Sequence, residues 1–252
     1  MRDTKSLESF LLAANDSGVD FIDCAWRYGN EPYIGMALRQ LRQKDKSFDL
    51  SLPFQSKVWP TKFNGGINKS LKFALQKIGA FSCIDTYFLH YPSDSWAANL
   101  LAYKQLIECM NKGQTKKVGL GNFDLDLLER LFKFTQKHPH TLQHNLSINN
   151  LNLEVLSYCR KNNIELQAYE PLGEFKSNSK NPVLKELSQK YECSVKNLLI
   201  AYLLELGIVP VVPVNSPEEI NEIVNAKKIQ ISSEDMEILK SFNKYKSKRR
   251  KS

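Results

Sequence analysis

Residues 21–31 read FIDCAWRYGNE. The apolar pair Phe21 and Ile22 runs into Asp23, and five positions later Tyr28 precedes Gly-Asn-Glu. The apolar start reads as the end of a buried strand, and the Gly-Asn pair as the loop beyond it. A carboxylate at such a position costs several kcal/mol unless a cation or good hydrogen bonds compensate it. The stretch therefore demands a partner from elsewhere in the chain.

Outward from it the sequence keeps one rhythm. Short apolar runs at 19–25, 48–58, 83–91, 116–123, 141–147, 164–172 and 208–214 read as strands. Between them, 34–43, 71–79, 98–113, 125–137, 151–163 and 182–207 place apolar residues three to four apart and read as helices. Gly79, Gly113 and Gly207 stand where helix-closing glycines belong. Strands alternating with helices of this length predict βα units on a parallel sheet. A further helix at 6–18 precedes the first strand with only MRDTK before it, so the count is seven where a closed (β/α) barrel has eight. No linker or composition break divides the chain, which predicts one domain over 1–243 and a basic, disordered tail over 244–252.

Composition excludes several classes. The formal charge of +8 is concentrated at the end: KYKSKRRKS (244–252) holds six cations and no acid, and removing them leaves +2. A near-neutral body argues against a nucleic-acid groove. No run approaches a membrane span, the longest candidate being LLIAYLL at 198–204. Cys24, Cys83, Cys109, Cys159 and Cys193 are odd in number and widely spaced, as for reduced thiols in a cytoplasmic protein. HPHTLQH (138–144) has no cysteine or acid to complete a metal site, and GLG (119–121) lacks the pattern of a phosphate loop.

Polar residues close four of the strands: Asp23, Lys57, His90 and Asn122. Singly, each has an ordinary reading as a turn, surface or core residue. In a parallel barrel, however, the carboxyl ends of all strands open on one face, where catalytic groups gather. Lys57 would compensate Asp23, and its charge beside Tyr28 would favour phenolate and lower the phenol pKa. A more acidic tyrosine can give a proton to a carbonyl oxygen, and His90 could bond that same oxygen. The set holds no strong nucleophile and no metal cluster, so the chemistry calls for a hydride borrowed from a cofactor.

FIDCAWRYGNE resembles the aldo-keto reductase signature, and SKVW (56–59), IDTYFLHYP (84–92), VGLGNF (118–123), YCRKNNI (158–164) and AYEPLG (168–173) resemble that family's later blocks in order. The resemblance implies a (β/α)8 TIM barrel of aldo-keto reductase type, here lacking the N-terminal hairpin and first strand. Such a chain reads as a shortened product of a longer gene, or as a barrel closing without one stave. The activity implied is nicotinamide-dependent reduction of small aldehydes or ketones. Tyr28 is the implied proton donor, with Lys57, Asp23 and His90 completing the catalytic set. For the cofactor the resemblance implies Asp23, Asn122, Gln143, Tyr169 (stacked on the nicotinamide), Leu172 (near the pyrophosphate), Asn215 and Ser216. Trp59 and Tyr91, with Trp26 and His90, would line the substrate pocket. The partner implied is a small carbonyl compound, with no metal, membrane or nucleic acid, and the protein itself is expected to be a monomer.

Three departures qualify the cofactor site. Gly121 replaces the family's usual serine, and Glu170 replaces a serine in AYSPLG. Where the family grips the NADP 2′-phosphate with a lysine and an arginine, this chain has Val214 and Glu219. The cofactor is thus NADPH by family default or NADH by these residues. The alternative function is a non-catalytic relative that keeps the fold for partner binding.

Overall fold

The computed structural model describes residues 4–246. Helix α1 (Thr4–Ser17) leads to β1 (Ile22–Asp23), α2 (Glu31–Lys44), β2 (Phe54–Val58), α3 (Ile67–Ile78), β3 (Ile84–Leu89) and α4 (Trp96–Asn111). There follow β4 (Thr115–Gly121), α5 (Leu125–Thr135), β5 (Thr141–Asn145), α6 (Leu153–Lys161), β6 (Glu165–Tyr169) and α7 (Phe175–Asn178). Then come α8 (Pro182–Lys190), α9 (Val195–Glu205), β7 (Ile208–Val211), α10 (Pro217–Val224) and α11 (Ser233–Lys240). Each of the seven predicted strands is present.

The described residues form two compact units, one running through Leu142 and including Ser216–Ile220, the other comprising Gln143–Asn215 and Asn221 onward. In the first unit β1, β2, β3 and β4 pair in parallel in chain order, with Ile22 opposite Phe54, Lys57 opposite Phe88 and Phe88 opposite Gly119. Because the pairing is parallel and in register, Asp23, Lys57, His90 and Asn122 fall at the same edge of these strands. Every residue of β2 is buried. Alternation sends Ser56 and Lys57 to opposite faces. Ser56 turns toward the helices, where its hydroxyl donates to Glu31 of α2 at 2.7 Å. Helix α2 buries Ile34, Ala37, Leu38 and Leu41, and α3 buries Ile67, Leu71, Ala74 and Ile78, each a stripe at helical spacing. Fully burying one such leucine or isoleucine contributes roughly 1.5–3 kcal/mol. Gly79 ends α3 with φ 59°, its N–H returning to the Leu75 carbonyl at 2.7 Å, as predicted.

In the second unit β6 pairs in parallel with β7, Leu166 opposite Ile208 and Tyr169 opposite Val211. The single amphipathic stretch expected over 182–207 is two helices. Glu192 takes a left-handed φ of 50°, and the Ser194 hydroxyl caps α9 by accepting from the Asn197 N–H at 3.2 Å. The apolar spacing carries across this break and hides it. Helices α10 and α11 were not predicted, although each follows a serine cap, with Ser216 accepting from Glu219 N and Ser232 from Asp235 N. Of the predicted basic tail, 247–252 lie outside the described residues. Lys244 is held, its N–H donating to the Asn149 carbonyl at 3.0 Å and its ammonium lying 2.9 Å from Glu174, and the Tyr245 hydroxyl accepts from Asn152 at 2.7 Å. No helix among the described residues is long and apolar enough to cross a membrane.

Candidate active site

The partner that Asp23 demands is Lys57. Its ammonium lies 2.5 Å from the Asp23 carboxylate and 3.1 Å from the Cys24 carbonyl. The Lys57 side chain is wholly buried and that of Asp23 is 10% exposed, so each compensates a charge the other could not leave uncompensated. The lysine also lies 5.2 Å from the Tyr28 ring centre and 5.8 Å from that of Phe88, its opposite number on β3.

Tyr28 is placed by the rest of the opening stretch. Residues Trp26–Tyr28 make one 3-10 turn, closed by Gly29 at a left-handed φ of 66°. The Cys24 thiol donates to the Asn30 side-chain oxygen at 2.6 Å, and Glu31 starts α2 with its carboxylate buried against Ser56. The Asn and Glu of the motif are thus buttresses of the loop. Sequence reasoning assigned them no role, because the partner of Glu31 lies 25 positions away.

His90, directly after β3, is 8% exposed and donates its backbone N–H to the Val58 carbonyl at 3.0 Å. Its ring meets Tyr28 edge-on at 5.8 Å, Trp59 edge-on at 5.2 Å and Tyr91 at 5.5 Å between ring centres. Trp59 and Tyr91 themselves approach to 5.3 Å. The structure therefore joins Tyr28, Lys57, Asp23, His90, Trp59 and Tyr91. Among the described residues no ring contact joins Trp26 to this cluster, and its neighbour is the Lys62 ammonium, 4.8 Å from the ring centre.

The electrostatics correct one expectation. The phenol of Tyr28 is pushed up, by burial first and then by the Asp23 carboxylate and its other acidic neighbours, rather than lowered by Lys57. The reason is that the lysine charge is engaged at 2.5 Å by Asp23, so the pair offers Tyr28 little net positive field. Solvent reaches 47% of the tyrosine, and screening tempers the size of the shift but not its sign. His90 moves the other way: burial, then the Lys57 and Arg27 charges, bring its pKa down to about 4. At neutral pH the imidazole is uncharged, and its Nδ1 is buried without a hydrogen-bond partner among the described residues.

This gives a pH prediction. A histidine whose folded-state pKa lies below its ordinary value near ~6.5 binds fewer protons folded than unfolded, so its contribution is complete above that value and is lost as pH falls toward about 4. The thermal midpoint should rise between these two pH values, and His90→Gln should flatten that rise. An identical slope in the variant would mean that His90 is not buried as a neutral ring.

Strand β4 brings its own surprise. A Cβ on Gly119 would lie 2.3 Å from the Phe88 ring, and one on Gly121 would lie 2.4 Å from the His90 carbonyl oxygen. The two glycines of GLG are therefore spaces for β3, and a serine at 121 would have to displace the backbone that carries His90. Asn122 follows with φ 63° and donates its amide to that same His90 carbonyl at 3.2 Å. His140 accepts from the Val118 N–H at 3.3 Å, and His138 stacks on Phe132 at 4.0 Å.

The remaining predicted cofactor residues lie in the second unit, except Ser216. Gln143 on β5 is buried and its amide donates to Gln167 at 2.9 Å. Tyr169 ends β6 half-buried, and Glu170 beyond it takes φ 52° and accepts from Asn145 at 2.6 Å. The Leu172 carbonyl accepts from Asn178 at 3.2 Å. Val214 is half-buried and Asn215 is exposed. The Ser216 hydroxyl caps α10, whose first turn carries Glu218 and Glu219.

Comparison with known proteins gives the family. The model of the aldo/keto reductase family matches residues 2–244, and the chain belongs to that family. The NADPH-dependent alpha-keto amide reductase of Saccharomyces cerevisiae is 25% identical, the alignment covering 92% of this chain and 77% of that relative. Aldo-keto reductase family 1 member C13 of Mus musculus is 29% identical over 96% of this chain and 84% of its own. Among solved structures, MGS-M4, an aldo-keto reductase from a Medee basin deep-sea metagenome library, aligns with a TM-score of 0.84 at 26% identity, covering 98% of this chain and 89% of that one. The fold is thus of the family's (β/α)8 type, with seven parallel strands among the described residues.

Proposed function

We propose that the protein reduces small aldehydes or ketones to alcohols with a nicotinamide cofactor, Tyr28 supplying the proton. The observation that carries this reading is the convergence of Tyr28, Lys57, Asp23 and neutral His90 at one strand edge. Tyr28, kept protonated by its raised pKa, presents an O–H to the carbonyl oxygen. His90, uncharged, has one N–H to offer the same oxygen and draws no proton away from Tyr28. Tyr28 releases its proton beside the Lys57–Asp23 pair, the ammonium lying 5.2 Å from its ring centre. Trp59 and Tyr91 supply apolar walls beside His90.

The cofactor, when bound, supplies hydride to the carbonyl carbon. In the first unit the Asn122 amide suits a nicotinamide carboxamide in donor and acceptor type; in the second, taken by itself, the Gln143 amide is of the same type and the Tyr169 ring suits a nicotinamide face. A 2′-phosphate fits poorly. Val214 brings no charge, and the first turn of α10 carries two carboxylates where an anion would want free N–H groups. We therefore assign NADH as the preferred cofactor. Five unpaired thiols support a reducing, cytoplasmic setting for the reaction.

Titrating the protein with NADH and NADPH, followed through tryptophan fluorescence, tests this. Saturable quenching is expected with NADH and weaker binding with NADPH. Tighter binding of NADPH would overturn the cofactor preference. Binding of neither would leave the second reading, a non-catalytic relative, which Val214 and Glu219 also favour.

A further inference from the structure

Arg27 sits between Trp26 and Tyr28, is exposed, and has no role in the proton transfer just described. Its guanidinium carbon lies 5.1 Å from the centre of the Trp59 ring, and Trp59 in turn packs edge-on against His90. Among the described residues no carboxylate pairs with Arg27. The nearby acids are already engaged, Asp23 by Lys57 and Glu31 by Ser56. A second cation, Lys62, lies over Trp26 and likewise has no acidic partner among the described residues. The rim of the site thus carries uncompensated positive charge close enough to be felt at the imidazole. The cation lies over the ring of Trp59, and a guanidinium carries its N–H donors in the planar fork that matches a carboxylate. The tryptophan also holds the long side chain, so less conformational freedom is lost when an anion binds.

We propose that Arg27 is a specificity-determining residue that selects carbonyl substrates carrying a carboxylate, which it holds while the carbonyl faces Tyr28 and His90. This rests on the reductase reading above and names its substrate class. The test compares 4-carboxybenzaldehyde with its methyl ester, methyl 4-formylbenzoate, a neutral molecule of the same shape at the aldehyde end. The measured quantity is the ratio of kcat/KM for acid over ester, which cancels any general disturbance of Trp59. Arg27→Met should lower that ratio about tenfold, and Arg27→Lys should keep part of it. A ratio that is the same in wild type and Arg27→Met would overturn the proposal.

If the wild type reduces neither aldehyde, the reductase reading fails by itself and binding decides the role of Arg27. Trp26 and Trp59 report on this region by fluorescence. The unreactive product 4-(hydroxymethyl)benzoate should bind wild type more tightly than Arg27→Met, with its methyl ester showing no such difference. Equal affinity of the two proteins for the acid would overturn the proposal independently of catalysis.

Discussion

Tyr28→Phe is expected to lower kcat by roughly 10²–10⁴-fold, the range typical of losing a positioned general acid. The ring stays and so does its edge-on contact with His90, so the variant should fold and bind cofactor as the wild type does. Only the hydroxyl is gone. Single-turnover rates with saturating NADH and 4-carboxybenzaldehyde would show the loss in the chemical step rather than in binding. A rate close to that of wild type would remove Tyr28 from the role of proton donor.

Lys57→Met should damage both the fold and the activity. It leaves the Asp23 carboxylate, 10% exposed, without its cation, a change that typically costs ~3–5 kcal/mol. For a chain of this size that corresponds to a fall in Tm on the order of 10 °C. Replacing both partners, Asp23→Asn with Lys57→Met, removes the stranded charge and should recover much of the stability but none of the catalysis. Thermal unfolding of the two single variants and the double variant gives the coupling directly. A Lys57→Met protein as stable as wild type would mean that the pair is not buried as described.

The two predictions also mark how far the sequence could be read. Asp23, Lys57, His90 and Asn122 were legible because each closes an apolar strand, and parallel pairing turns that one-dimensional pattern into a shared edge. The sign of the tyrosine shift was not legible. Sequence places an amine near a phenol, but only coordinates show that Asp23 engages the amine at 2.5 Å and leaves burial to decide. Glu31 and Arg27 were missed for a related reason: their partners, Ser56 and Trp59, come from another element. The break between α8 and α9 escaped because apolar periodicity continues across it, whereas the Ser194 cap that marks it is a local signal. The caps of α10 and α11 were signals of the same kind.

The absent side chain at Gly121 bears on how this site could be altered, by evolution or by design. With the His90 carbonyl 2.4 Å from where a Cβ would stand, a serine cannot enter at 121 by a single exchange without moving that backbone. Any side chain at 121 is thus epistatic with the neighbouring strand: a compensating change there must come first or the histidine is dislodged. Redesign of this strand end should therefore begin on β3.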